Sequence, residues 1–397
     1  SVSFGWRLSK ENFVKQVVPW IYDMKIRGSW GELGNQSIGD YPYQSVIDLG
    51  ANYPFGNSLV TGAAVNTIPN VNITWERTKM TDAGLDLSVM DGKLSLTADY
   101  FVKRTTGILY SVSASSILGA NPSPENAGTV ENRGWDFDLT HKNSIGDLSY
   151  GVTVNLSLSH NKVISLANVD LDIDKGLFIG YPIGSSYGYV ADGLFVNKAD
   201  ISSYATQPIT PAPGDIRYKD ISGPAGVPDG IVDATHDRTV IGAPIPTSTY
   251  GLDLSAKYKG FDLDVLFQGE GGRKIMIKAY HFFAYDNDGN IQQWQFDERW
   301  TTQNPDRNAG YPVFSIKAND FYSSNPSSFW FKNATFLRLK NVQIGYSLPS
   351  AFTKKLSLEN VRIYVSGENL FTISRFYKGW DPEMSINNEY GWYPLTR

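Results

Sequence analysis

Leu94-Ser95-Leu96-Thr97-Ala98-Asp99-Tyr100-Phe101-Val102-Lys103 is the stretch that decides the fold. Leu94, Leu96, Ala98, Tyr100 and Val102 fall on one face, and Ser95, Thr97, Asp99 and Lys103 on the other. Only a strand separates them this way, because its side chains alternate with a period of two. Working outward, Tyr150, Val152, Val154, Leu156 and Leu158 alternate with Gly151, Thr153, Asn155, Ser157 and Ser159. Tyr250, Leu252, Leu254, Ala256 and Tyr258 do the same against Gly251, Asp253, Ser255 and Lys257, and Phe261, Leu263, Val265 and Phe267 follow at once.

Similar runs at Val2 to Ser9, Tyr22 to Trp30, Ala83 to Val89, Trp135 to Leu139 and Val361 to Val365 bring the expected count to about ten strands. Between Phe336 and Tyr346 the apolar parity switches, from Leu337 and Leu339 to Val342, Ile344 and Tyr346, which predicts a β-bulge. A soluble sandwich alternates too. Against it, aromatic residues (Tyr100, Tyr150, Tyr250, Tyr258, Phe261, Phe267) recur at the ends of the apolar face, as interfacial girdles require. The connections also alternate. Tight turns are expected near Asp91-Gly92, Asn143 to Gly146 and Lys259-Gly260, and long segments at about 32–71, 106–128, 165–247 and 272–333. Outer-membrane barrels are built in this way, with short periplasmic turns and long extracellular loops. On this pattern both ends of the chain fall on the extracellular side, so strands are expected beyond residues 1 and 397.

Composition narrows the function. Of 397 residues 13% are aromatic and 19% charged, which suits a greasy, banded β-protein. The absence of Cys removes disulfides, thiolate metal sites and cysteine nucleophiles. A net charge of −5 gives no electrostatic footprint for nucleic acid. The uncharged run Thr105 to Pro124 is interrupted by Gly107, Gly119 and Pro122, so a helical membrane span is not expected. His141, His160, His236 and His281 form no zinc-binding pattern. Gly184-Ser185-Ser186-Tyr187-Gly188 has the spacing of a nucleophile elbow, but Pro182 and a Gly-rich flank replace the strand and helix an elbow needs.

Several motifs carry a family resemblance. Lys25-Ile26-Arg27-Gly28-Ser29-Trp30-Gly31, Glu131-Asn132-Arg133-Gly134-Trp135-Asp136 and Gly180-Tyr181-Pro182-Ile183-Gly184 come first. Asp192-Gly193-Leu194-Phe195, Pro213-Gly214-Asp215-Ile216 and Asp237-Arg238-Thr239-Val240-Ile241-Gly242 follow. Leu337-Arg338-Leu339-Lys340-Asn341-Val342, Gly367-Glu368-Asn369-Leu370-Phe371 and Gly379-Trp380-Asp381-Pro382 close the series. In this order the chain resembles the C-terminal half of a SusC/RagA-type TonB-dependent outer-membrane transporter. The resemblance implies an all-β, transmembrane antiparallel β-barrel of 22 strands, of which residues 1–397 supply a partial barrel. It also implies an outer-membrane location in a Gram-negative bacterium and no enzymatic activity. A plug and a TonB-contacting segment would lie N-terminal to this stretch. A SusD-like lipoprotein lid and an oligosaccharide or peptide cargo complete the implied system. Two alternatives stay open, a structural or assembly subunit that keeps the barrel without import, and a soluble β-rich glycan-binding protein or hydrolase.

Two sets of candidate residues follow. Tyr187, Tyr189, Trp294, Trp300 and Trp330 sit in the long loops, where flat faces suit substrate or partner contact, or packing of the loop itself. Asp220, Ser222, Asp229, Asp233 and Asp237 have oxygen ligands two apart, a Gly at the bend and a distal carboxylate, the pattern of a loop for structural Ca²⁺ or Mg²⁺. No other cofactor is expected.

Overall fold

The computed structural model describes all residues except 37–40, 66, 111–116, 118, 167–168, 278–282, 286–289 and 385–397. His281 therefore lies outside the described residues. Ten long strands are hydrogen-bonded neighbour to neighbour in strict chain order, with no crossover. They are β1 Val2–Trp6, β2 Ile21–Asn35, β3 Glu76–Val89, β4 Leu94–Tyr110, β5 Glu125–Ile145, β6 Leu148–Ser165, β7 Ser248–Tyr258, β8 Phe261–Gly271, β9 Phe336–Ser347 and β10 Arg362–Ser374. Short helices join them in places the strand pattern leaves blank: Asn12–Val17 before β2 and Ser350–Thr353 before β10. By contacts the chain divides into two compact units, Ser1–Phe137 with Ser159–Asp172 and Leu177–Pro182, and Asp138–Leu158 with Ile173–Gly176 and Ile183–Arg397.

In the first unit β2, β3 and β4 pair antiparallel over most of their length. The polar face carries a charge network. Arg27 Nη2 lies 2.7 Å from Asp99 and 3.1 Å from Asp86, and Nη1 3.9 Å from Asp82. Gly84 stands between Arg27 and Asp99 in the cross-strand row. A Cβ there would lie 2.2 Å from Asp99 Oδ1 and 2.8 Å from Arg27 Cζ, so only glycine lets the guanidinium cross. Tyr100 and Trp135 bring their ring centroids to 4.9 Å, an aromatic cross-strand contact in the body of the sheet.

In the second unit the apolar face forms continuous rows. Val152 pairs with Leu254, Leu254 with Val265, and Val265 with Val342. A second row runs from Tyr150 through Ala256, Leu263 and Ile344 to Val365. β7 and β8 are joined by Lys259 at φ 45° and Gly260 at φ 88°, the positive pair of a type I′ hairpin turn. The predicted bulge falls at Lys340: Leu266 pairs with Asn341 and Phe267 with Leu339, leaving Lys340 without a partner position.

The strands outrun their sequence signal. β4 has 17 residues and β5 has 21, whereas crossing a bilayer takes about 9–11. Arg104-Thr105-Thr106-Gly107 in β4 shows no alternation, because where both faces meet water nothing selects apolar residues for one of them.

Candidate functional site

The second unit carries a folded lobe at the loop ends of β7 to β10. Its strands are brief. Ser186–Tyr189 pairs with Arg238–Gly242, Ala191–Leu194 with Ile216–Tyr218, and Lys274–Ile275 with Lys332–Asn333. Short helices Lys198–Ser202, Gln293–Glu298 and Ile316–Ser324 fill the gaps. What holds it is an aromatic core that includes Tyr189, Tyr218, Trp300, Tyr311, Tyr322 and Trp330. Trp330 is the hub, with the rings of Phe283, Tyr311, Tyr322 and Phe329 all 4.9–5.8 Å from its own. Ordering a loop of this length costs about 1–2 kcal/mol of backbone entropy per residue, and burying large rings is the available offset.

Several polar groups in and around the core are paired. Tyr322 Oη accepts from Ile216 N–H at 3.2 Å and donates to Asp215 Oδ1 at 3.3 Å. Burial raises the Asp215 carboxyl above its ordinary range, against the opposing pull of the Ala212 N–H and the Tyr322 hydroxyl. Arg217 joins Asp192 at 2.7 Å to Asp200 at 3.2 Å, and lies over the Tyr204 ring at 4.3 Å. Arg307 adds a second cation to Asp200 at 3.0 Å. Burial pushes Asp200 upward, but the Val196 N–H and the two guanidinia outweigh it and hold the group low.

These contacts explain the sequence motifs as scaffold. Gly193 (φ 82°) lies where a Cβ would come within 2.7 Å of Arg307, and Gly214 (φ 92°) where one would meet Trp300 at 2.6 Å. Arg338, nearly buried, reaches Glu383 at 2.6 Å and also pairs with Asp381, joining two motifs about forty residues apart. The Gly184 to Gly188 segment forms no elbow. Ser186 opens a short strand, and Gly188 is needed because a Cβ would stand 2.0 Å from Pro326 O.

The contact assignment of the loop aromatics needs correction. Tyr189, Trp300 and Trp330 are 2%, 3% and 0% exposed, so they build the lobe and offer no flat face to a ligand; Trp294, 8% exposed, packs in the same core but also lines a cavity. Tyr187 alone is half-buried, with the Arg238 guanidinium 5.6 Å above its ring. Position in a long loop marked these residues in the sequence, but it does not distinguish the core of a folded loop from its surface.

The acidic loop is organised by its own backbone. Asp237, fully buried, accepts from Ile221 N–H at 2.7 Å, Ser222 N–H at 3.2 Å and Asp233 N–H at 2.8 Å. Asp233 accepts from the backbone N–H of Thr235 and His236 and lies 3.0 Å from His236 Nδ1. That hydrogen bond raises the imidazole and, with the His236 N–H, lowers the Asp233 carboxyl. Asp229 Oδ1 takes Ile231 N–H at 3.0 Å and Asp220 Oδ2 takes Gly230 N–H at 2.6 Å. Asp220 Oδ1 is buried with no hydrogen-bond partner. Among the described residues no three His, Asp or Glu side chains gather closely enough to hold a metal ion.

A chain-ordered antiparallel sheet with apolar rows, a polar face laced by charges and long folded loops defines a transmembrane β-barrel protein. The chain belongs to the family described as "TonB dependent receptor-like, beta-barrel", whose model matches residues 1–370. Among curated proteins it is 29% identical over 426 residues to the TonB-dependent receptor P3 of Formosa agariphila, covering 100% of this chain and 40% of that one. It is 27% identical over 409 residues to the TonB-dependent receptor SusC of Bacteroides thetaiotaomicron, covering 99% and 38%. Among solved structures, the RagAB peptide importer in the closed-closed state superposes with a TM-score of 0.74 at 23% identity, covering 99% of this chain and 42% of that one. The RagAB peptide transporter gives 0.73 at 22%, covering 96% and 40%. The chain thus spans about 40% of the length of the relatives it matches. Barrel membership sets aside the soluble reading.

Proposed function

We propose that this chain forms barrel wall and extracellular loops of a nutrient importer in the outer membrane of a Gram-negative bacterium. It would work with a SusD-like lipoprotein lid and TonB-coupled energy, and carry oligosaccharide or peptide. The supporting observation is that the family match runs through strands and loops alike from residue 1 to 370, and that relatives bear the names SusC and RagAB peptide importer. The test is uptake by cells that carry or lack the gene, using labelled oligosaccharide and peptide pools with and without a protonophore. Gene-dependent, protonophore-sensitive uptake and co-purification of a lipoprotein are expected. Unchanged uptake together with an altered outer-membrane complex would favour the assembly-subunit reading.

A structural cation in the acidic loop is a second, smaller proposal, supported by the buried, unpartnered Asp220 Oδ1 and by Gly230 (φ 85°) at the bend. Most of the other carboxylate oxygens there already accept from backbone N–H groups, so the ion has to add to an ordered loop. Calcium that leaves the protection of this loop against proteolysis unchanged, in wild type and in Asp220→Asn alike, would dismiss it.

A further inference from the structure

A cavity of about 390 Å³ opens in the lobe between the helix Gln293–Glu298, the strand Lys332–Asn333 and the segment that follows β10. Its size falls in the range of small-ligand sites. Lys332, Arg375 and Lys378 line it against a single carboxylate, Glu298, so three cations face one anion and a formal charge of +2 is left over. Glu298 is already engaged, 2.8 Å from Lys378 Nζ. Gly310 makes room for that arrangement, since a Cβ there would lie 2.5 Å from Glu298 Oε2. Among the described residues neither Lys332 nor Arg375 has an ion-pair partner. Lys332 instead stands 5.3 Å from the Phe329 ring and 5.9 Å from the Tyr377 ring. Burial holds its ammonium below the ordinary lysine range, although Glu298 draws it back up. A desolvated cation with no ion pair of its own is costly to keep, and a ligand anion is what would relieve it.

We infer that this cavity binds a carboxylate of the cargo, with Lys332 at its base, the Arg375 guanidinium at its exposed rim and the Phe376 and Tyr377 rings as apolar walls. The planar fork of Arg375 suits the two oxygens of a carboxylate, and the aromatic walls favour an anion carried on an organic body over an inorganic one. The inference deepens the importer reading, on which it rests for the cargo's arrival at the lobe.

Binding to the intact receptor in detergent tests it without lid or energy source, so a failure of import would leave the result interpretable. The probes are a tripeptide with a free C-terminus, its C-terminal amide, a trimer of galacturonic acid and its neutral galactose counterpart. The free acid of at least one pair should bind at least tenfold more tightly than its neutral form, and which pair does so tells peptide from uronic-acid cargo. Lys332→Met and Arg375→Gln should each remove that preference, while Lys332→Arg retains it. Arg375 is exposed, so its variant reports on binding without threatening the fold. Equal binding of acid and neutral forms in both pairs, an undiminished preference in Arg375→Gln, or displacement by inorganic phosphate as effective as by the organic acid would each overturn the inference.

Discussion

Gly84 and Asp233 show how single positions carry the structure at the residue scale. The Arg27 bridge to Asp99 exists because the residue between them has no side chain. Gly84→Ala should therefore push the guanidinium aside and cost about 2 kcal/mol, in keeping with a charged hydrogen bond lost from a half-buried network. Denaturant unfolding in detergent would measure this, and an unchanged midpoint would show that the existing Arg27 contact with Asp86 suffices. The His236 and Asp233 pair sets a pH window. His236 is raised above its ordinary 6.5, so its contribution is complete below that value and fades as pH climbs through the raised one. Asp233 is lowered from 3.8, so its share is complete above 3.8 and fades only as pH falls through the lowered value. The contact should be tightest between these limits and loosen as pH climbs through the raised imidazole value. NMR titration should place the His236 midpoint above 6.5 and show it falling in Asp233→Asn; a midpoint indifferent to that substitution would contradict the assignment.

At the scale of elements, the strands were legible in the sequence wherever one face had to be apolar. Leu94 to Val102 and Tyr250 to Tyr258 alternate because one face is apolar and the other polar, and the parity switch after Leu339 located the bulge at Lys340. Alternation fails where that asymmetry ends, so Thr106 to Tyr110 in β4 and Glu125 to Gly128 in β5 read as loop and fold as strand. The helices Asn12–Val17 and Ser350–Thr353 are too short to show a helical period. The lobe was the least legible part. Trp294 and Lys332 share one cavity, but they come from segments with no common pattern, and tertiary contact alone unites them. A bulge is also a register device, since a one-residue slip moves every side chain to the opposite face. Deleting Lys340 should put either Val342, Ile344 and Tyr346 or Leu337 and Leu339 on the wrong side and abolish insertion, read as loss of the heat-modifiable band on a gel. Lys340→Ala, which keeps the count, should insert normally.

At the scale of the whole molecule, one continuous sheet turns an apolar face to lipid and a polar face to water. In the first unit the charges of Arg27, Asp82, Asp86 and Asp99 gather into one network, and in the second the rows through Val152, Leu254, Val265 and Val342 make a continuous apolar face. Both follow from the period of two, and both are what a transporter of this family requires of its wall. Residues 1–397 contain no cysteine, so they add no background to single cysteines placed among them for spin labelling. The most direct measurement labels Leu252, Asp253, Leu254 and Ser255 in turn along β7 in liposomes and compares accessibility to oxygen with accessibility to a water-soluble nickel chelate. Strict alternation is expected, with oxygen favoured at Leu252 and Leu254 and the chelate at Asp253 and Ser255. Uniform protection from both reagents at Leu252 and Leu254, as in the dry interior between two packed sheets, would contradict it.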